Sequence, residues 1–522
     1  MEEIMKKLFV LGTALLLILS LGLIASAKTL KLGLDADPKS IDIHEQLSGG
    51  TLQFSHWVFD PLVRYAQDMS FEPRLAKRWE RIDKNTMRFH LVKGVKFHSG
   101  NDFTAEDVQF TLNRLKTSVD FKGLFELFSE PVIVDKYTVD IVTTKPYGLV
   151  LNMMTYIFPL DKKFYTGTDD KGTPKDAVVK VGHSFAKTAF PSGTGAFKLT
   201  HRDHGVKLVL ERNENYWDIR SPGNVDKVIF TPIAEAATRV AALLSGDVDF
   251  ISPVPPQDFK RIQKDSKVDL VTFSGGRIIT VQLNQKKNPA LANVKVRQAI
   301  AYAVNNVGIA KKIMKGTATP AGGTSPHGYS GFSPDLKPRY NLEKAKQLMK
   351  EAGYANGFTA SMMAPNNRYV NDAKIAETFT QMVAKIGIKV NLKTMPKAQY
   401  WDRFDERAAD ILMIGWHSDT EDSGNFYEFL AMCPDTKTGY GQYNSGNYCN
   451  KEVDKLTIAA QTETNFGKRT AMLKRAEKLI YDEAAYITFH WQNHSYGVKN
   501  GVNALPIVNA QNFPYLGDLV IK

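Results

Sequence analysis

Between Pro73 and Leu115 the chain reads PRLAKRWERIDKNTMRFHLVKGVKFHSGNDFTAEDVQFTLNRL. This stretch settles more local choices than any other. Leu75–Glu80 reads as a short helix followed by a turn. Thr86–Leu91 alternates apolar and polar residues, the pattern of a half-buried strand. Gly94 breaks the chain before a second short strand, Val95–His98, and Ser99–Asp102 has the composition of a turn. Thr104 then stands where a helix N-cap belongs, with Asp107 three residues later in the reciprocal capping position. The segment is well-formed α/β structure.

The amino terminus gives an address. Lys6 and Lys7 precede an apolar run, Leu8–Ile24, which ends at the small-residue site Ala25-Ser26-Ala27. This is the layout of a cleaved secretory signal peptide over 1–27. An uncleaved membrane anchor is the rival reading, but the run is slightly short of the roughly 20 apolar residues that span a bilayer. No cysteine follows the run, which argues against a lipid anchor. The expected product is a soluble periplasmic chain beginning at Lys28.

Removing 27 of the 522 residues leaves about 495, more than one hydrophobic core usually supports, so two or three lobes are expected. No internal repeat and no long low-complexity linker interrupts the chain, so the lobes should be joined by short crossovers. The net charge of +12 is unusual. Its lysines and arginines are scattered, and no basic helix, arm or nucleic-acid module is present, so a nucleic-acid partner is not expected. A charge of this sign helps to attract anionic solutes.

Cys433 and Cys449 are the only two cysteines, with fifteen residues between them. In an oxidising compartment they suggest one disulfide. Closing such a loop is worth on the order of 3 kcal/mol in the chain-entropy picture. Zinc binding competes, but no C-x-x-C or nearby histidine supports it. His490 and His494 have the four-residue spacing of helical metal ligands. However, Tyr486–Trp491 alternates like a strand, which places residues four apart about 13 Å from each other. No metal or cofactor is expected. Gly193-Thr-Gly195 precedes a strand rather than a helix, which argues against a phosphate cradle. The chain has no G-x-S-x-G, H-E-x-x-H or P-loop motif, and no enzyme activity is expected.

The pieces of Pro73–Leu115 resemble the signature of the family 5 extracellular solute-binding proteins, the peptide and nickel receptors of ABC importers. The matching pieces are L-A-x-x-W-E, G-V-x-F-H-x-G and F-T-A-E-D-V. Further matches follow in the family's order. Ser192–Phe197 and Arg212-Asn213-x-x-Tyr216-Trp217 are joined by Thr238-Arg239 with Ala242–Asp249. Val296–Ile300 and the Asn341-capped helix ending in Glu351-Ala-Gly-Tyr354 complete the series. The resemblance covers nearly all of the mature chain. It implies an α/β, three-lobed periplasmic binding protein of class II, cluster C type, with the ligand cleft between two main lobes. The expected divisions are 28–72 plus 195–284 plus 497–522, then 73–194, then 285–496. It also implies the Cys433–Cys449 bridge, a small peptide-like solute, an inner-membrane ABC permease as partner, and a monomer. Other solutes of the family are nickel chelates, opines, glutathione, haem and sugars.

A buried carboxylate beside an aromatic wall can clamp an ammonium group, and an arginine can hold a carboxylate at two points. Gly415-Trp416-His417-Ser-Asp419 follows the apolar strand Ile411–Ile414. By the resemblance, Asp419 occupies the amine-binding position of dipeptide receptors, with Trp416 on the cleft wall. The family's carboxylate-binding arginine falls in a segment equivalent to Pro365–Tyr369, where Arg368 stands about two positions displaced. Arg368, Tyr369, Trp416, His417 and Asp419 are therefore the expected ligand-binding residues.

Overall fold

The structure is a computed structural model that describes residues 27–38, 40–180, 182–418, 420–504, 508–509 and 511–522. The signal-peptide reading lies almost entirely outside them. Among the described residues no helix is long and apolar enough to cross a membrane.

An eleven-stranded mixed sheet organises the molecule. Two long strands, Val268–Leu283 and Tyr486–Lys499, pair antiparallel at its centre and run through both of its halves. On one side lie Phe250–Ser252, then Thr29–Leu34, Lys227–Pro232, Lys207–Arg212 and Phe197–Asp203. On the other lie Ile411–Trp416, Phe358–Pro365 and the edge strand Ile388–Met395, and the short eleventh strand Ala318–Pro320 pairs off this path with Tyr486–Lys499. That edge exposes Lys389 and Lys393, charges that discourage pairing with another chain. The register between the long strands slips between Ser274 and Ile278, at Gly275-Gly276-Arg277. A residue pair without side chains lets the strand bulge there, where it passes from one half of the sheet to the other.

A separate four-stranded antiparallel sheet holds Ala76–Arg81, Thr86–Leu91, Thr138–Val142 and Val132–Asp135. This corrects the reading of Leu75–Glu80 as a helix. A helix of that length has too few internal hydrogen bonds to offset nucleation, whereas Trp79↔Phe89 and Arg81↔Met87 pair it to the next strand. Val95–His98 also forms no strand; a single bridge, Lys96↔Asp102, closes a tight loop. The helix at Ala105–Thr117 does form, and the Asp107 carboxylate accepts the Thr104 N–H at 2.8 Å. Asn341 caps Leu342–Glu351 by accepting the Lys344 N–H at 3.0 Å.

One continuous apolar core joins the four-stranded sheet to the first half of the large sheet. Two further clusters fill the other half. The Arg212–Trp217 motif locks the first core together. Arg74 is buried and donates to Asp60 at 2.8 Å and to Asp218 at 2.7 Å, while the Trp217 indole donates to Asp60 at 2.7 Å. Cys433 and Cys449 are joined in a disulfide.

Candidate functional site

A cavity of about 650 Å³ opens between the two halves of the large sheet. Ser48, Gln53 and Phe513 face it from one half, and Val370 and His417 from the other. The long strands contribute Arg277 and His494. The volume falls in the range of about 300–1,000 Å³ typical of small-molecule sites.

The segment after Ile411–Trp416 forms the far wall, and it is pinned from several sides. The Ser418 hydroxyl accepts the N–H groups of Thr420 at 3.2 Å and Asp422 at 3.1 Å, and it donates to the Asp422 carbonyl at 3.0 Å. The Asp422 carboxylate takes both ends of the Arg469 guanidinium at 2.6 and 2.7 Å, with the two side chains 1 % and 5 % exposed. Burial raises the Asp422 carboxyl, but Arg469 outweighs that and holds it below the usual carboxylate range. Glu421 is buried at a φ of 51° and accepts the Tyr329 hydroxyl, and His417 Nε2 lies 4.0 Å from its Oε1. Asn152, on the short helix Val150–Met154, donates its amide to the Thr420 carbonyl at 3.1 Å. Asp419 itself lies outside the described residues; its neighbour Ser418 lines the cleft.

The other expected residues gather around a second chamber of about 550 Å³. Arg368, Tyr369, Trp416 and His417 all line it, and His417 and Arg277 line both cavities. The Tyr369 hydroxyl donates to the Gly415 carbonyl at 3.2 Å. Its ring fills the space where a Cβ on Gly415 would stand, only 2.7 Å away, so the glycine of the Gly415-Trp416 motif is a packing requirement. The Arg368 guanidinium lies 5.1 Å from the centre of the same ring. Trp416 packs against Tyr443 at 5.2 Å and Phe429 at 5.8 Å, and its indole N–H donates to Asn425 at 2.8 Å.

Sequence reasoning missed Arg277, Glu421, Tyr329 and Asn152. Arg277 carried a readable signal, because Gly275-Gly276 interrupts an apolar strand and marks a bulge. Glu421, Tyr329 and Asn152 carried none, since their partners come from remote segments.

The remaining motifs have structural roles. Gly193 and Gly195 press against the Val58 main chain, and the Gly195 N–H donates to the Val58 carbonyl at 2.9 Å, so this is close packing with no room for a phosphate. His490 and His494 stand on a strand, as their alternation predicts. Among the described residues the one carboxylate, cysteine and histidine cluster with metal-like spacing is Cys433, Cys449 and Asp454, and its cysteines are bonded to each other.

Residues 70–438 match the bacterial extracellular solute-binding proteins, family 5. A dipeptide-binding protein of Escherichia coli (strain K12) is 29 % identical over 439 residues, 79 % of each chain. Heme-binding protein A of Haemophilus influenzae is 30 % identical over 453 residues, 83 % of this chain and 81 % of that one. The structure of HbpA2 from Haemophilus parasuis superposes with a TM-score of 0.82 at 24 % identity, covering 95 % of this chain and all of the other. The family match spans well over half of the sequence, and this protein belongs to the family 5 bacterial extracellular solute-binding proteins.

Proposed function

We propose that the protein is the periplasmic receptor of an ABC importer, binding a small peptide or peptide-like solute and passing it to an inner-membrane permease. The observation that carries this reading is the cleft between the sheet halves, lined by His417, Ser418 and Glu421 on one wall and by Arg277 from the long strands. Such a site recognises and releases, and nothing in its inventory requires bond-making. Asp419 would take the solute's ammonium group, Arg368 its carboxylate, and Trp416, His417 and Tyr369 would line the wall. The dipeptide-binding relative supports the choice of solute. The divisions 28–72 plus 195–284 plus 497–522 and 285–496 would act as closing lobes, with 73–194 as the third. Secretion with cleavage before Lys28, no lipid and a monomeric state complete the proposal.

The test is calorimetry and thermal melting of the mature protein with dipeptides, after mass spectrometry of whatever co-purifies. At ligand about 100 times above Kd, stabilisation of about 2.7 kcal/mol is expected. Asp419→Asn should weaken binding tenfold or more, the loss of a charge-assisted bond worth about 1.5–3 kcal/mol. A co-purified solute without a cationic group overturns the peptide reading.

A second reading has its own support. His417 and His494 both present imidazoles to the cleft, and a relative is named for haem binding. Titration with haem, followed by its absorbance in wild type and in His417→Ala and His494→Ala variants, separates that case from peptide binding.

A further inference from the structure

We infer that the segment Gly148–Asn152, in the 73–194 division, is a latch that reaches across to the far cleft wall and holds the closed receptor. The inference rests on the lobe divisions proposed above and not on the solute's identity. It gives the 73–194 division a part in retaining whatever the cleft holds.

That division shares its apolar core with the first half of the large sheet. Among the described residues no apolar cluster joins it to 285–495. It should therefore move with the first half when the cleft opens, and its contacts with the far half should be ones that part readily. The contacts it makes are of that kind. The Gly148 N–H donates to the Gln461 carbonyl at 3.3 Å, in the last turn of the helix Lys451–Thr462. The Asn152 amide donates to the Thr420 carbonyl at 3.1 Å and to the Tyr65 hydroxyl at 2.8 Å. Hydrogen bonds exchanged for water on opening change the free energy little, so they form and break with each cycle.

Gly148 shows that the docking is specific. A Cβ there would stand 2.7 Å from the Glu463 carbonyl oxygen and 2.8 Å from Cδ and Nε of Arg469. Its φ is outside the left-handed region, so the backbone accepts a side chain and only the docked arrangement excludes one. Arg469 is the residue that grips Asp422. The latch thus seats on the group that pins the wall, while Asn152 holds the wall itself at Thr420. Tyr156, just beyond the same short helix, lines the main cavity, and so do Ser418 and Glu421 opposite. The Asn152–Thr420 bond ties together two sides that a solute in that cavity meets.

Amide hydrogen exchange of the mature protein, read by mass spectrometry, tests this with Gly148→Ala and Asn152→Ala. Gly148→Ala should speed exchange at least threefold in 147–149 and in 459–463, and Asn152→Ala should do the same in 420–422. Exchange in the strand Thr86–Leu91 should not change, because opening leaves the four-stranded sheet intact. Faster exchange confined to 147–152 overturns the latch. An equal rise in Thr86–Leu91 overturns it too, since the contact would then be part of the fold. With Ala-Ala as probe, stopped-flow dissociation should be at least threefold faster in both variants and association nearly unchanged; equal dissociation from wild type and variants also overturns the latch. If Ala-Ala does not bind the wild type, the dipeptide reading is what suffers, and exchange alone decides the latch.

Discussion

Asp422 and Asp419 stand three residues apart in the sequence, and different roles are expected of them. The Asp422 carboxylate is committed to Arg469 and to the Gly424 N–H, which it accepts at 2.8 Å as the cap of the helical turn at Ser423–Phe426. Removing its charge would leave a buried guanidinium uncompensated, which costs about 3–5 kcal/mol. Asp422→Asn is therefore expected to lower the unliganded melting temperature strongly. Asp419→Asn is expected to weaken ligand binding and leave that temperature nearly unchanged. Melting curves and calorimetry on the two variants decide the matter, and an exchange of the two effects would reverse the assignment. Only Asp419 was legible as a candidate in the sequence. Nothing local marks Asp422 as structural, because its partner arrives from the helix Phe466–Asp482.

Among the elements, the Gly193-Thr-Gly195 turn shows how a motif's meaning depends on what it packs against. A Cβ at Gly195 would stand 2.5 Å from the Val58 carbonyl carbon, at the end of the helix Gly49–Val58. Main chain cannot step aside as a side-chain tip can, so the helix and the turn would have to separate. Gly195→Ala is expected to destabilise the protein by about 1–3 kcal/mol, the usual cost of overpacking. A denaturant midpoint shift with unchanged solute affinity is the expected result; a loss of affinity without loss of stability would instead place the turn in the ligand site. The segment Ala76–Arg81 teaches the complementary lesson. Its composition suits a helix as well as a strand, and it becomes a strand because Thr86–Leu91 offers it partners.

At the scale of the whole molecule, buried and half-buried histidines far apart in the sequence couple stability to pH. Burial pushes His490 down to about 3 and, with Arg114 adding to it, His44 also to about 3; burial likewise brings His98 to about 4. In the unfolded chain these imidazoles take protons near their ordinary value of about 6.5. Between there and pH 4 the unfolded state binds more protons, so stability falls as pH falls through that window, by up to about 1.4 kcal/mol per pH unit per histidine. Asp107, which burial raises to about 6, works in the opposite sense over the lower part of the window. The melting temperature should drop on acidification from pH 6.5 to 4, and His490→Leu should flatten that slope. A flat profile in the wild type would contradict it. His490 is the cleanest probe, since among the described residues neither ring nitrogen has a hydrogen-bond partner and burial alone accounts for its shift.

The sequence alone determined the helix caps at Thr104 and Asn341, the alternating strands, the single disulfide and the family, because each is written in a few adjacent residues or in a fixed order of short motifs. It also brought Arg368, Tyr369, Trp416 and His417 forward as one group. Only the tertiary structure decided that these four surround a second chamber rather than the main cleft alone, and that Arg277 lines both. The same holds for Tyr216 and Trp217, which read as part of a family signature and prove to close a buried network with Asp60 and Arg74. The physical reason is common to all of them. Local pattern sets backbone conformation within a turn or two, whereas a cavity and its charge balance arise from side chains hundreds of residues apart, brought together by long antiparallel strands whose register no local pattern encodes.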